Sequence, residues 1–183
     1  MSPITFAQQR YIDSLEAKLK QQELSDYEKT VIRCKLTRAL FETNPDKAVQ
    51  LTNDAADAPG ADAKAWLYAT RIHLLVQRKD KPGAYAAMDS AMRYVNSAKD
   101  PVAKGMVWFR SGWLDLIDNE NDEAVAKFLK ALDNFKGRQG LPMPHSPVTI
   151  SQVSIVMVQI LQGRENMPAA VIRLHCKVEN LTC

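Results

Sequence analysis

The amino-acid sequence predicts an all-α protein, a stack of antiparallel helix pairs with about eight helices in a single domain, 1–183. Most segments place apolar residues three and four apart, the period of a helix with one buried face. Only seven Gly and nine Pro occur in 183 residues, too few for a β-rich chain built on tight turns. The helix-length patterns also come in pairs, with a Pro or a short polar turn before each second member.

The first element, within 1–24, is a helix over about Ile4 to Gln22, with Phe6, Ile12, Leu15 and Leu19 on one face. A helix pair follows over 25–58. Ser25 reads as an N-cap with Glu28 as its capping-box partner, ahead of Val31, Ile32, Leu36, Ala39 and Leu40. Asn44-Pro45 then restarts the chain, because Asn caps well and Pro at the first helical position loses no needed N–H. That second helix carries Ala48, Val49, Leu51, Thr52 and Ala55 inward and ends at Ala58-Pro59-Gly60.

A second pair covers 62–98, with a helix from Asp62 to Gln77, a charged turn from Arg78 to Lys81, and a helix after Pro82. Asp100-Pro101 opens a third pair over 101–137. Aligned on their second helices, the units bring Ala48, Ala84 and Ala124 into register, followed by Thr52, Met88 and Phe128, then Ala55, Ala91 and Ala131. The steps of 36 and 40 residues are near one helix-turn-helix repeat. Small residues at these points let helix axes approach, and the larger one between them fills the gap. After a Pro-rich connection, 148–183 reads as a divergent fourth pair covering the open end of the stack. The β-branched content of Thr149 to Gln162 leaves a buried strand open there.

With 24 Lys and Arg against 21 Asp and Glu, interspersed, the charge is too balanced to predict nucleic acid as the partner. Cys34 reads as a small core residue, and Cys176 and Cys183 could pair only if the last helix broke between them. No stretch is long and apolar enough to insert in a membrane: the most apolar run, Val148 to Leu161, falls short of the roughly twenty residues needed. The N-terminus lacks the apolar run of a secretory signal, so the expected location is cytoplasmic if the chain is complete, and periplasmic if a leader was removed.

A catalytic set is not visible. His73, His145 and His175 are far apart and stand in no metal-ligand spacing, and there is no phosphate loop or nucleophile elbow. We therefore expect no enzyme activity, no metal and no cofactor. Asp115, Asp118, Glu120, Asp122 and Glu123 cluster around one turn, where they either bind a cation or serve as caps and favourable charges at a helix N-terminus.

The stretch from Gly105 to Gly137 resembles a tetratricopeptide repeat. It has Trp108, a small residue four further on at Gly112, and the series Ala124, Phe128, Ala131, with Asp115, Ser111 and Lys136 as departures from the pattern. In Asp62 to Asn96 the likeness continues with Tyr68 for the Trp and Ile72 for the Gly. The resemblance implies a right-handed superhelical stack whose first helices line a concave groove for a protein or peptide. It carries that groove role to Arg33, Thr37, Trp66, His73, Phe109, Arg110 and Trp113. Trp108 and Trp113 lie about 140° apart around a helix, so if Trp108 anchors the core, Trp113 faces the groove or its rim. Of the family's carboxylate-clamp residues only Arg33 and Arg110 match in type, and the asparagines are missing.

The expected function is thus a non-catalytic scaffold that binds a protein or peptide in this groove. The alternative is a sensor or assembly domain, similar to the helical-repeat input regions of bacterial signalling proteins, that self-associates through 149–161.

Overall fold

The computed structural model describes residues 6–136, which form seven α-helices with no strand among them. They are α1 (Phe6–Leu19), α2 (Asp26–Leu40), α3 (Pro45–Asn53), α4 (Ala61–Gln77), α5 (Lys81–Val95), α6 (Pro101–Ile117) and α7 (Asn121–Lys136). The expected fourth pair, 148–183, with the self-association segment 149–161 and Cys176 and Cys183, lies outside the described residues.

The starts of the helices follow from local chemistry. Ser25 and Glu28 form the full capping box. Asn44 accepts from the Lys47 amide at 3.1 Å ahead of Pro45. Asp80 accepts from the Gly83 amide and Asp100 from the Val102 amide, each next to a Pro in the first turn. Each cap satisfies an amide that the helix cannot pair, worth about 1 kcal/mol.

Two turns are alike. Lys79 (φ +60°) and Asn119 (φ +62°) are left-handed, and across each the backbone closes by the same bonds, Asp80 N–H to Leu75 C=O and Glu120 N–H to Asp115 C=O, both at 2.9 Å. Those bonds use up carbonyls at the ends of α4 and α6. The shared turn sets the common step from Ala84 to Ala124.

Helices α2, α4 and α6 pack side by side, while α3, α5 and α7 each fold back on the helix before them. Tyr27 and Trp66 meet near the starts of α2 and α4, and Phe41 meets His73 near their ends, so those helices run parallel. The small-residue register holds: Ala48, Ala84 and Ala124 are fully buried, as are Ala55, Ala91 and Ala131 to within a percent. Between them Thr52 and Phe128 are buried and Met88 is partly so.

The α6–α7 pair shows what the small residues do. A Cβ on Gly105 would meet the Phe135 ring at 2.3 Å, and one on Gly112 would meet Phe128 at 3.0 Å and the Ala124 carbonyl at 3.1 Å. Two phenylalanines one heptad apart thus seat on two glycines one heptad apart on the antiparallel helix. Trp108 packs on this core with its outer side under the Lys130 ammonium, 4.5 Å from the ring centroid.

Phe128→Ala should cost about 3–5 kcal/mol by chemical denaturation, and Gly112→Val should cost about 1–3 kcal/mol by overpacking the same contact. A cost below 1 kcal/mol for both would contradict the close approach of α6 and α7.

Candidate functional site

The layer of α2, α4 and α6 meets in two polar rows with an apolar stretch between. The row near the helix starts is complete. The Asp100 carboxylate accepts from the Tyr27 hydroxyl and from the Trp66 indole N–H at 3.1 Å, while its other oxygen caps Val102. Asp62, in the first turn of α4, accepts from the Asp100 amide at 2.8 Å and also from the Lys99 amide. Burial and the Asp100 carboxylate hold the Tyr27 hydroxyl well above the usual phenol range, so it stays a donor.

Between the rows lies Cys34, fully buried, its thiol pushed up to about 11 by desolvation despite a hydrogen bond with Thr70. It is a core residue, protonated at neutral pH.

Two to three turns along the same helices stand Arg38 on α2, His73 on α4 and Arg110 on α6. Arg110 is only 7% exposed, and its Nε is buried without a hydrogen-bond partner. Its guanidinium carbon lies 5.3 Å from the Phe109 ring centroid. Among the described residues no carboxylate pairs with Arg38 or Arg110. Burial and the neighbouring Arg38 charge push Arg110 down to about 9, and burial likewise lowers Arg38. Desolvation, with the charges of Arg110 and Arg38, drives His73 down to about 3, so its imidazole is neutral at pH 7.

The seam continues past this row. His73 is followed one turn on by Val76, and Arg110 by Leu114 and Ile117. These three apolar residues line a cavity of about 240 Å³ edged by Lys79, Lys81 and Asp118. Ile117 is 48% exposed there. Trp113, half-buried, stands on the same side of α6 as Arg110, three residues away, with its ring 6.5 Å from that of Phe109.

The seven residues singled out from the sequence therefore fall into separate places. His73, Phe109, Arg110 and Trp113 come together at the α4–α6 seam. Phe109 is buried there, its ring 5.7 Å from that of Phe128. Trp66 is buried and belongs to the Asp100 row. Thr37 is buried, with its hydroxyl donating to the Arg33 and Ala48 carbonyls, which ties α3 to α2. Arg33 is half-buried and lines a separate cavity of about 210 Å³ with Asp26, Asp54 and Asp57.

Arg38 was missed. Its sequence signal is the four-residue step from Cys34, which puts an arginine on the same stripe of α2 as a core cysteine. The acidic cluster at the α6–α7 turn has internal partners. Asp115, almost fully buried, pairs with Lys127 at 2.7 Å, and Asp118 pairs with Lys81 and accepts from the Tyr85 hydroxyl. Among the described residues no three His, Cys, Asp or Glu side chains converge as metal ligands, and no helix is long and apolar enough to cross a membrane.

Comparison with protein-family models, with curated proteins and with solved structures gave no match to this chain.

A buried guanidinium without a counter-charge costs stability. Arg110→Met, close in volume and able to pack on Phe109, should raise unfolding free energy by about 1–3 kcal/mol in denaturant titrations. A loss of similar size would mean that Arg110 is satisfied in the free protein.

His73 gives a pH signature. Unfolded, its imidazole takes a proton near 6.5; folded, only near 3. Unfolding therefore takes up a proton between these values, and the stability contributed by neutral His73 is full above pH 6.5 and lost as pH falls towards 3. Replacing His73 by Leu should flatten the slope of stability against pH in that window, and an unchanged slope would place the acid sensitivity elsewhere.

Proposed function

We propose that this chain is a non-catalytic scaffold that holds a segment of a partner protein along the face formed by α2, α4 and α6. In this reading the described helices belong to a right-handed superhelical, tetratricopeptide-like stack of about eight helices, and that face is its groove. The parallel α2–α4–α6 layer, backed by α3, α5 and α7, supports this architecture. So does the register of buried alanines at 48, 84 and 124.

The observation that carries the functional reading is the α4–α6 seam. It combines a half-buried Trp113, an apolar cavity beside an exposed Ile117, and a buried Arg110 without a counter-charge. Aromatic and Arg side chains dominate binding hot spots.

A displayed peptide library selected on the protein tests this. Selected peptides should converge on a shared pattern and bind Trp113→Ala and Arg110→Ala at least about tenfold more weakly. Asp89→Ala and Asp133→Ala, at exposed positions on α5 and α7, should leave binding unchanged. Binding lost equally on both faces, or no convergence, would refute the groove assignment.

A further inference from the structure

The cavity at the α4–α6 seam has an apolar floor and a rim that answers its own charge. Val76, Leu114 and Ile117 line it, and at its edge Lys81 pairs with Asp118 while Lys79 stays in solvent. Two large hydrophobic side chains are exposed among the described residues, Phe6 and Ile117. Phe6 lies on α1 beneath the Arg10 guanidinium, whereas Ile117 borders this cavity. Half-buried Trp113 stands one turn before it on the same stripe of α6. An uncharged, apolar occupant covers such a floor without taking a charge out of water.

We propose that the segment 149–161 of this same chain occupies the cavity and so competes with a partner for the groove. The competition rests on the scaffold reading, whereas the occupancy does not. The segment, TISQVSIVMVQIL, lies outside the described residues; it has no charged residue and eight apolar ones. At the helical period and at the strand period alike, those eight fall on more than one side, so packing against one neighbour leaves apolar side chains to cover. The cavity of Asp26, Arg33, Asp54 and Asp57 offers it charged walls instead.

The chain is long enough to deliver the segment there. Helix α7 ends beside the start of α6, since the Phe135 ring abuts Gly105. From Gly105 to Ile117 is twelve residues of helix, about 18 Å along the axis. The twelve residues 137–148 reach at most about 40 Å, which spans that length of α6 with chain to spare. A tether this short holds the segment at an effective concentration on the order of millimolar, which a separate copy does not reach in dilute solution.

The test is photocrosslinking in the full chain. Ile117, exposed and so tolerant of replacement, is exchanged for the photoreactive p-benzoylphenylalanine; in control chains the probe replaces Asp89 on α5 or Asp133 on α7. After irradiation of a dilute solution, monomer and dimer are separated and the crosslinked peptides identified by mass spectrometry. We expect the Ile117 probe to join 149–161 within the monomer, at least about tenfold above either control and unchanged on further dilution. A full chain carrying Ile155→Glu and Val158→Glu places charges off the stripe of Ile150, Val153, Met157 and Ile160. It should lose that crosslink while thermal unfolding stays cooperative. It should also bind library-selected peptides at least about tenfold more tightly, the factor for a groove that is free in about one-tenth of the chains.

No crosslink above the controls, a monomer crosslink to another segment, or crosslinking to 149–161 in dimers alone would overturn the inference; the last would make a second copy the occupant. Peptide affinity unchanged in the double variant despite a lost crosslink would overturn the competition. If the libraries yield no peptide, the scaffold reading fails, and the crosslink still decides what covers the cavity.

Discussion

One carboxylate holds the layer together. Asp100 accepts from α2 through Tyr27 and from α4 through Trp66, and it caps α6 through Val102. A single acidic residue thus ties together the starts of three helices, and the Cys34–Thr70 hydrogen bond joins α2 to α4 further along. Asp62 adds to this by tying the start of α4 to the connection between α5 and α6. Register set at this end determines what meets further along: Cys34 against Thr70, then Arg38, His73 and Arg110. The ordered end is therefore the reason the unpaired end has a defined geometry.

The two ends obey the same rule with opposite results. Polar groups taken from water need partners, and near the helix starts the chain supplies them. At the far row the Arg110 Nε is buried without a partner, at a cost to the free protein. Elsewhere the chain meets the rule in part: Lys127 pairs with one oxygen of buried Asp115 and Lys81 with Asp118, while Asp115 Oδ2 and Ser111 Oγ are buried without a hydrogen-bond partner.

Local chemistry made much of the fold readable from the sequence. Ser25 with Glu28, Asn44 before Pro45 and Asp100 before Pro101 are caps whose partners lie within three residues. The alanine register was legible because one buried face repeats with one hairpin length. What the sequence hid depends on rotation about a helix and on contacts across the layer. Trp66 reads as a groove aromatic until its indole N–H is found on Asp100, thirty-four residues away. Thr37 and Arg38 are neighbours separated by 100° of rotation, so the threonine turns to α3 and the arginine to the seam. Repeat spacing alone does not resolve a step that fine. His73 and Arg110 were legible as positions, whereas the burial of the Arg110 Nε without a partner depends on how the neighbouring helices pack.

The seating of Phe128 and Phe135 on Gly112 and Gly105 bears on the order in which the chain assembles. Both contacts close within one hairpin, so little loop entropy is lost in making them, and α6–α7 can form before distant segments arrive. At the other end α3 has nine residues, and α1 is in contact chiefly with α2. Elements with few packing contacts open at low free energy. The described chain is therefore graded, with a firm end at α6–α7 and a fraying end at α1–α3. Arg110 and Trp113 sit on the firm end, so opening of α1 and α3 would leave the α4–α6 seam in place.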